Sequence, residues 1–144
     1  MTDFRNSQIA ILKSVNSLQE ERIQSLFQLM NIADKESLDA IYECLKNDSC
    51  QIVRHEAAFV LGETAAHDAI DMLKWAIDND RSVIVIHEAL LALGTINNSD
   101  TINFIKSKLD DPRNLVAESA KIALQRIQIE NEPYRGPKQF EDLK

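Results

Sequence analysis

Cys44 and Cys50 are the only two cysteines in 144 residues. That excludes a disulfide-stapled scaffold, and their spacing is not the CxxC of a thiolate metal site. Three glycines and three prolines supply too few turn signals for a chain of many short strands. No apolar run approaches the ~18 residues of a membrane span. Residues 1–20 carry no apolar signal-peptide core. Cations are in deficit, with 16 Lys and Arg against 23 Asp and Glu for a net charge of -7. Nucleic-acid backbones are held by cation-rich surfaces, so no nucleic-acid partner is expected; a basic protein or an amine is the complementary one. These absences describe a soluble, acidic domain, expected in the cytoplasm and away from membranes.

What remains is 44% hydrophobic and 27% charged residues, the composition of an ordinary globule. A single domain of this size buries roughly 68–70% of its unfolded surface, enough for a core without metal or disulfide support. Long stretches of good helix formers alternate with short Asp/Asn/Ser clusters, so the fold class is all-α. Arg54-His55-Glu56-Ala57-Ala58-Phe59-Val60-Leu61-Gly62 aligns with Ile86-His87-Glu88-Ala89-Leu90-Leu91-Ala92-Leu93-Gly94 at an offset of 32 residues. The same offset backwards reaches Arg22 to Met30, and an offset of 31 forwards from Val85 reaches Val116 to Leu124. Second helices are predicted between these copies at Ser37–Lys46, Ala69–Asp78 and Thr101–Leu109, preceded by the capping candidates Asp34, Asp68 and Asp100. An opening helix near Ser7–Val15 completes the first pair. The expected architecture is a short α-solenoid of about four helical hairpins spanning 1–128. Pro112 marks the start of the last copy, and 129–144 reads as a C-terminal tail.

Helical phase separates the faces. Val53, Ala57, Val60, Leu61 and Thr64 form one stripe, repeated by Val85, Ala89, Ala92, Leu93 and Ile96, and expected to pack on the partner helix of the same hairpin. His55 and His87 fall roughly 180° from that stripe, with Glu56 and Glu88 about 100° further round, toward a neighbouring repeat. Gly62 and Gly94 lie on the histidine side, where a bare backbone admits another backbone or a ligand.

Three histidines are present, and two of them sit as His-Glu at equal phase in adjacent repeats; the third, His67, falls in a predicted turn. The outer copies carry Ile23-Gln24 and Glu118-Ser119 instead, so the repeat itself does not demand the pair. Helices packed about 8–10 Å apart let two imidazoles meet at one metal. Two histidines and a carboxylate are the ligand set of non-heme iron sites; zinc accepts similar donors, though its structural sites favour thiolates. Cys44 and Cys50 are read as core or turn residues, and Arg54 as a solvated charge ahead of the alternative that it pairs with a carboxylate. Phe27, Trp75 and Phe104 are assigned to the core.

The segment Arg54-His55-Glu56-Ala57 with Val60-Leu61-Gly62, followed by His87-Glu88-Ala89 with Ala92-Leu93-Gly94, resembles the deoxyhypusine hydroxylase family. The resemblance takes in Asp110-Asp111-Pro112, Val116 and Glu118-Ser119, begins near Glu21-Arg22 and Phe27, and covers residues 20–128. It implies HEAT-like repeats of the phycobilin lyase (PBS-lyase) type. Phycobilin lyase-like proteins themselves resemble this chain in the repeat alone and not in His-Glu. By the resemblance His55, His87 and Glu88 are metal ligands for Fe(2+). Glu56 is the catalytic and substrate-binding residue, orienting a substrate amine or acting as a base beside the ligands.

The family's usual chain is about twice as long, with two halves whose four His-Glu motifs hold two irons that activate dioxygen. This chain matches one half. The resemblance therefore implies a homodimer with two irons per dimer, one triad per chain. It acts as a monooxygenase on the amine-bearing side chain of a basic protein, similar to deoxyhypusine. A mononuclear site, or a site completed by a different half-protein, is the alternative arrangement, and a non-enzymatic HEAT-repeat adaptor is the alternative function. Tyr134 and Phe140 are expected either to fold over the site or the partner chain, or to be disordered.

Overall fold

The computed structural model describes residues 2–131. Among them are eight α-helices and no strand: α1 (Thr2–Lys13), α2 (Gln19–Ile32), α3 (Lys35–Asn47), α4 (Gln51–Thr64), α5 (Ala69–Asn79), α6 (Val83–Ile96), α7 (Ile102–Lys106) and α8 (Asn114–Asn131). They pair as four antiparallel hairpins stacked in sequence order, odd helices in one layer and even helices in the other. This is the expected all-α solenoid. The last helix runs to Asn131, past the expected end of the repeats near 128, while Tyr134 and Phe140 lie outside the described residues. No helix among the described residues is long and apolar enough to cross a membrane.

Caps punctuate the repeat. Asp34 accepts from the Ser37 backbone N–H at 2.9 Å, as its sequence position predicts. The other two capping assignments are corrected. Asp68 makes no side-chain cap bond, and Asp100 is inside a 3-10 turn (Ser99–Thr101) whose cap is Asn98, accepting from the Asp100 N–H at 2.8 Å. That turn shortens α7, and the chain expected to be helical up to Leu109 leaves it through tight turns such as Lys108 N–H to the Ile105 carbonyl, 2.9 Å. Helices α2, α4 and α6 end on Ala33, Ala65 and Asn97 at φ of 53°, 53° and 58°, a left-handed cap recurring in register.

Hydrogen bonds from Ser37 and the Arg5 guanidinium hold the Asp34 carboxyl at about 2, below the ordinary carboxylate range. A depressed folded-state pKa stabilises the protein in full above the unfolded value of about 4, and that contribution disappears as pH falls toward 2. Asp34→Asn keeps a capping side chain and removes the charge. Thermal unfolding should show a deficit relative to wild type at pH 5 that closes by about pH 2; a constant gap would refute the linkage.

The two stripes are buried as expected, Val53, Ala57, Val60, Leu61, Val85, Ala89 and Leu93 completely and Ala92 nearly so. Burial is wider than a single stripe, because Ala58, Ile86 and Leu90 are also closed off from water. Helices α4 and α6 meet their hairpin partners as expected, and α4, α6 and α8 lie against one another more extensively still. Small residues explain the difference. A Cβ on Gly62 would stand 2.6 Å from Ala92 Cβ and 2.9 Å from Ala92 Cα, and one on Gly94 would stand 3.1 Å from Ala123 Cα. Each glycine therefore admits the backbone of the next even helix. Between the two options left open for the glycines, neighbouring backbone fills the space and not a ligand.

Alanine exceeds glycine in helix propensity by about 1 kcal/mol, while overpacking costs about 1–3 kcal/mol. The obstruction at Gly62 includes backbone, so overpacking dominates. Gly62→Ala should lower stability by about 1–2 kcal/mol in a denaturant titration, and adding Ala92→Gly should recover part of the loss. A single variant as stable as wild type would contradict the close approach of α4 and α6.

Candidate functional site

Arg54 is not the solvated charge expected of it. Its Nε donates to Asp80 Oδ2 at 2.9 Å and its Nη1 to the Asp48 carbonyl at 2.8 Å, with Asp80 4% exposed. Arg22 makes the same reach from α2 to Asp48, at 2.8 Å. These ties from an even helix to the turn before the next one lock adjacent repeats in register. They also place the residues that follow, Ile23, His55 and their neighbours, in one row across the even helices.

In that row the His55 Nε2 lies 3.0 Å from Glu88 Oε2, bridging α4 to α6. Its Nδ1 lies 3.3 Å from Glu56 Oε1 on its own helix. All three side chains are partly exposed, at 26%, 15% and 25% for His55, Glu88 and Glu56. A neutral imidazole has one N–H and so satisfies one carboxylate only. Two carboxylates at two ring nitrogens suit a cation at the site, either a second ring proton or a metal between Nε2 and Glu88. Donor bonds of about 2.1 Å meeting at about 90° separate two donor atoms by about 3.0 Å, so this pair fits adjacent corners of one coordination shell. Glu56 on the far ring nitrogen is then the carboxylate that orients a ligand histidine and raises its basicity.

His87 is placed differently. Its Nδ1 meets Ser119 Oγ of α8 at 2.6 Å. The sequence grouped His55, His87 and Glu88 around one metal with Glu56 beside them; the structure brings His55, Glu56 and Glu88 into contact and turns His87 to Ser119. Among the described residues, however, no three His, Cys, Asp or Glu side chains gather closely enough to hold a metal ion by themselves. Ser119 was not singled out from the sequence; its register with Glu56 and Glu88 was the signal available.

The thiols take no part. Burial pushes the Cys44 thiol up to about 12, which leaves it protonated at neutral pH and a poor nucleophile. It lines a cavity of about 380 Å³ with Leu12, Ala40 and Asn47, at the α1–α3 side of the molecule. His67 is exposed in its turn, as expected. Phe27, Trp75 and Phe104 are half-buried against the core, and Phe27 and Phe59 stack across repeats with ring centroids 6.2 Å apart.

Two apolar rows flank the His-Glu row. Ile52, Ile84 and Leu115 stand one turn before it on α4, α6 and α8, exposed by 46%, 39% and 40%. Phe59, Leu91 and Ile122 stand one turn after it, the last exposed by 41%.

A repeat of two-helix units with small residues at the inter-repeat contact defines the class. The sequence profile of HEAT repeats matches residues 38–125, and the chain belongs to that family. Comparison with curated protein sequences gives no match. Its fold is similar to the solved structure of human deoxyhypusine hydroxylase in complex with glycerol, with a TM-score of 0.84 and 27% sequence identity over 95% of this chain. The likeness covers 49% of that human chain, so this one spans about half its length. The chain is thus a HEAT-repeat protein of deoxyhypusine hydroxylase-like fold.

Proposed function

We propose that the chain is an iron-dependent monooxygenase of the deoxyhypusine hydroxylase type, acting as a homodimer on an amine-bearing side chain of a basic protein. The observation that carries this reading is the 3.0 Å meeting of His55 Nε2 with Glu88 Oε2 across two repeats. The fold likeness to a deoxyhypusine hydroxylase supports it.

His55, Glu88 and His87 would hold Fe(2+), one triad in each chain and two irons per dimer; His55 and Glu88 already meet, and the ion would have to draw His87 to them. Iron held there supplies dioxygen activation: one oxygen atom enters a C–H bond, and the other leaves as water with two electrons and two protons from an external reductant. The chain's own residues do the remainder. Glu56 keeps one oxygen on the His55 ring and offers the other to the substrate ammonium, so the same carboxylate steadies a ligand and anchors the amine. A net charge of -7 over the whole chain favours a cationic substrate. The rows of Ile52, Ile84 and Leu115 and of Phe59, Leu91 and Ile122 are the apolar surface on which a second copy would seat, excluding water from the site between them. A two-fold axis through that surface would bring the two triads face to face.

Metal analysis and sedimentation on one sample test the reading. One iron per chain in a dimer is the expected result. Metal-free protein that stays folded and monomeric overturns it and leaves the adaptor reading.

A further inference from the structure

Ser119 is 1% exposed, and its hydroxyl has two partners. Its Oγ lies 2.6 Å from the Leu115 carbonyl oxygen, one turn back on α8, and 2.6 Å from His87 Nδ1 on α6. A carbonyl oxygen only accepts, so the single hydroxyl proton is directed at Leu115. Toward His87 the hydroxyl can therefore only accept. It follows that Nδ1 carries a proton, and that in the neutral ring the lone pair is on Nε2.

We propose that Ser119 is a positioning residue. It holds His87 in the Nδ1–H tautomer and so presents the Nε2 lone pair as a ready metal donor. The register supports the assignment. Glu56, Glu88 and Ser119 occupy one position in three successive repeats, and at the two where the preceding even helix carries a histidine the residue there meets it, Glu88 with His55 and Ser119 with His87. Where it is glutamate, as at Glu88, it meets His55 Nε2 with a carboxylate that can itself ligate. Where it is serine, the partner is short, uncharged and committed to its own helix. It takes the Nδ1 proton and competes for no cation. The two histidines are thereby given different tasks by one substitution in the repeat: His55 shares its site with a carboxylate, and His87 is aimed by a hydroxyl.

This inference rests on the iron reading for the purpose of the ring, though not for its tautomer, and two measurements separate them. The first is the ring nitrogen-15 spectrum of His87 in metal-free full-length protein, above the pH at which the imidazole titrates. A protonated Nδ1 and a bare Nε2 are expected in wild type, the reverse of the form that free histidine favours. Ser119→Ala should give a mixed or inverted pattern with the amide spectrum otherwise retained. Ser119→Thr, which keeps the hydroxyl, should restore the wild-type pattern. The second measurement is titration with ferrous ion, in which Ser119→Ala should bind about 10–100-fold more weakly. A wild-type Nε2–H ring, or a ring pattern indifferent to Ser119→Ala, overturns the proposal. The expected tautomers in a wild type that takes up no iron would uphold Ser119 as the group that sets the ring and defeat the iron reading instead.

Discussion

Ile84→Glu should keep the 16.3 kDa chain from forming the proposed homodimer. Ile84 is 39% exposed at the middle of the apolar row formed with Ile52 and Leu115, next to the His-Glu row. Fully burying an isoleucine is worth about 1.5–3 kcal/mol, and a two-fold interface counts each substitution twice. With 39% of Ile84 left to bury, the loss over two copies is about 1–2 kcal/mol, roughly 5–30-fold in the dissociation constant, before the cost of burying a carboxylate is added. Sedimentation velocity across a concentration series reads this directly. Unfolding should be little affected in the isolated chain, because the side chain is already exposed. A variant that sediments like wild type would remove this face from the interface and the facing triads with it.

His55→Ala should abolish stoichiometric iron binding. His55 is the one side chain that touches both carboxylates, at 3.0 Å to Glu88 and 3.3 Å to Glu56. Loss of an outer hydrogen-bond partner typically weakens a metal site by about 10–100-fold, so loss of a ligand should exceed about 100-fold. Iron per chain after dialysis should fall from one to a small fraction, with His87→Ala and Glu88→Gln behaving alike. His67→Ala is the internal control, since that residue is exposed in the turn between α4 and α5 and lies outside the even-helix row. Equal iron in His55→Ala and wild type would show that the metal is bound elsewhere.

Much of the fold was legible because the repeat is written in local terms. An apolar stripe at helical spacing and its return after 32 residues predict helices, their number and their stacking without any long-range information. Asp34 was legible as a cap for the same reason. Asp68 and Asp100 carried the same local signal and do not cap, because the chain around them turns with 3-10 geometry before the helix begins. Arg54 next to a site histidine gave no sign of its partner, since Asp80 is 26 residues away and reaches it only when the repeats are stacked.

The site divides along the same line. The residue types at the site, their duplication and their common face follow from the chain itself: His55, Glu56, His87 and Glu88 recur at fixed phase on an amphipathic helix. Which nitrogen meets which oxygen was decided by the packing of even helix on even helix. Gly62 and Gly94 remove the side chains that would hold those helices apart, and at that spacing His55 reaches Glu88 while His87 reaches Ser119. Sequence periodicity specifies a direction around one helix axis, whereas a donor–acceptor distance depends on the separation of two axes, and that separation is set by the small residues packed between them.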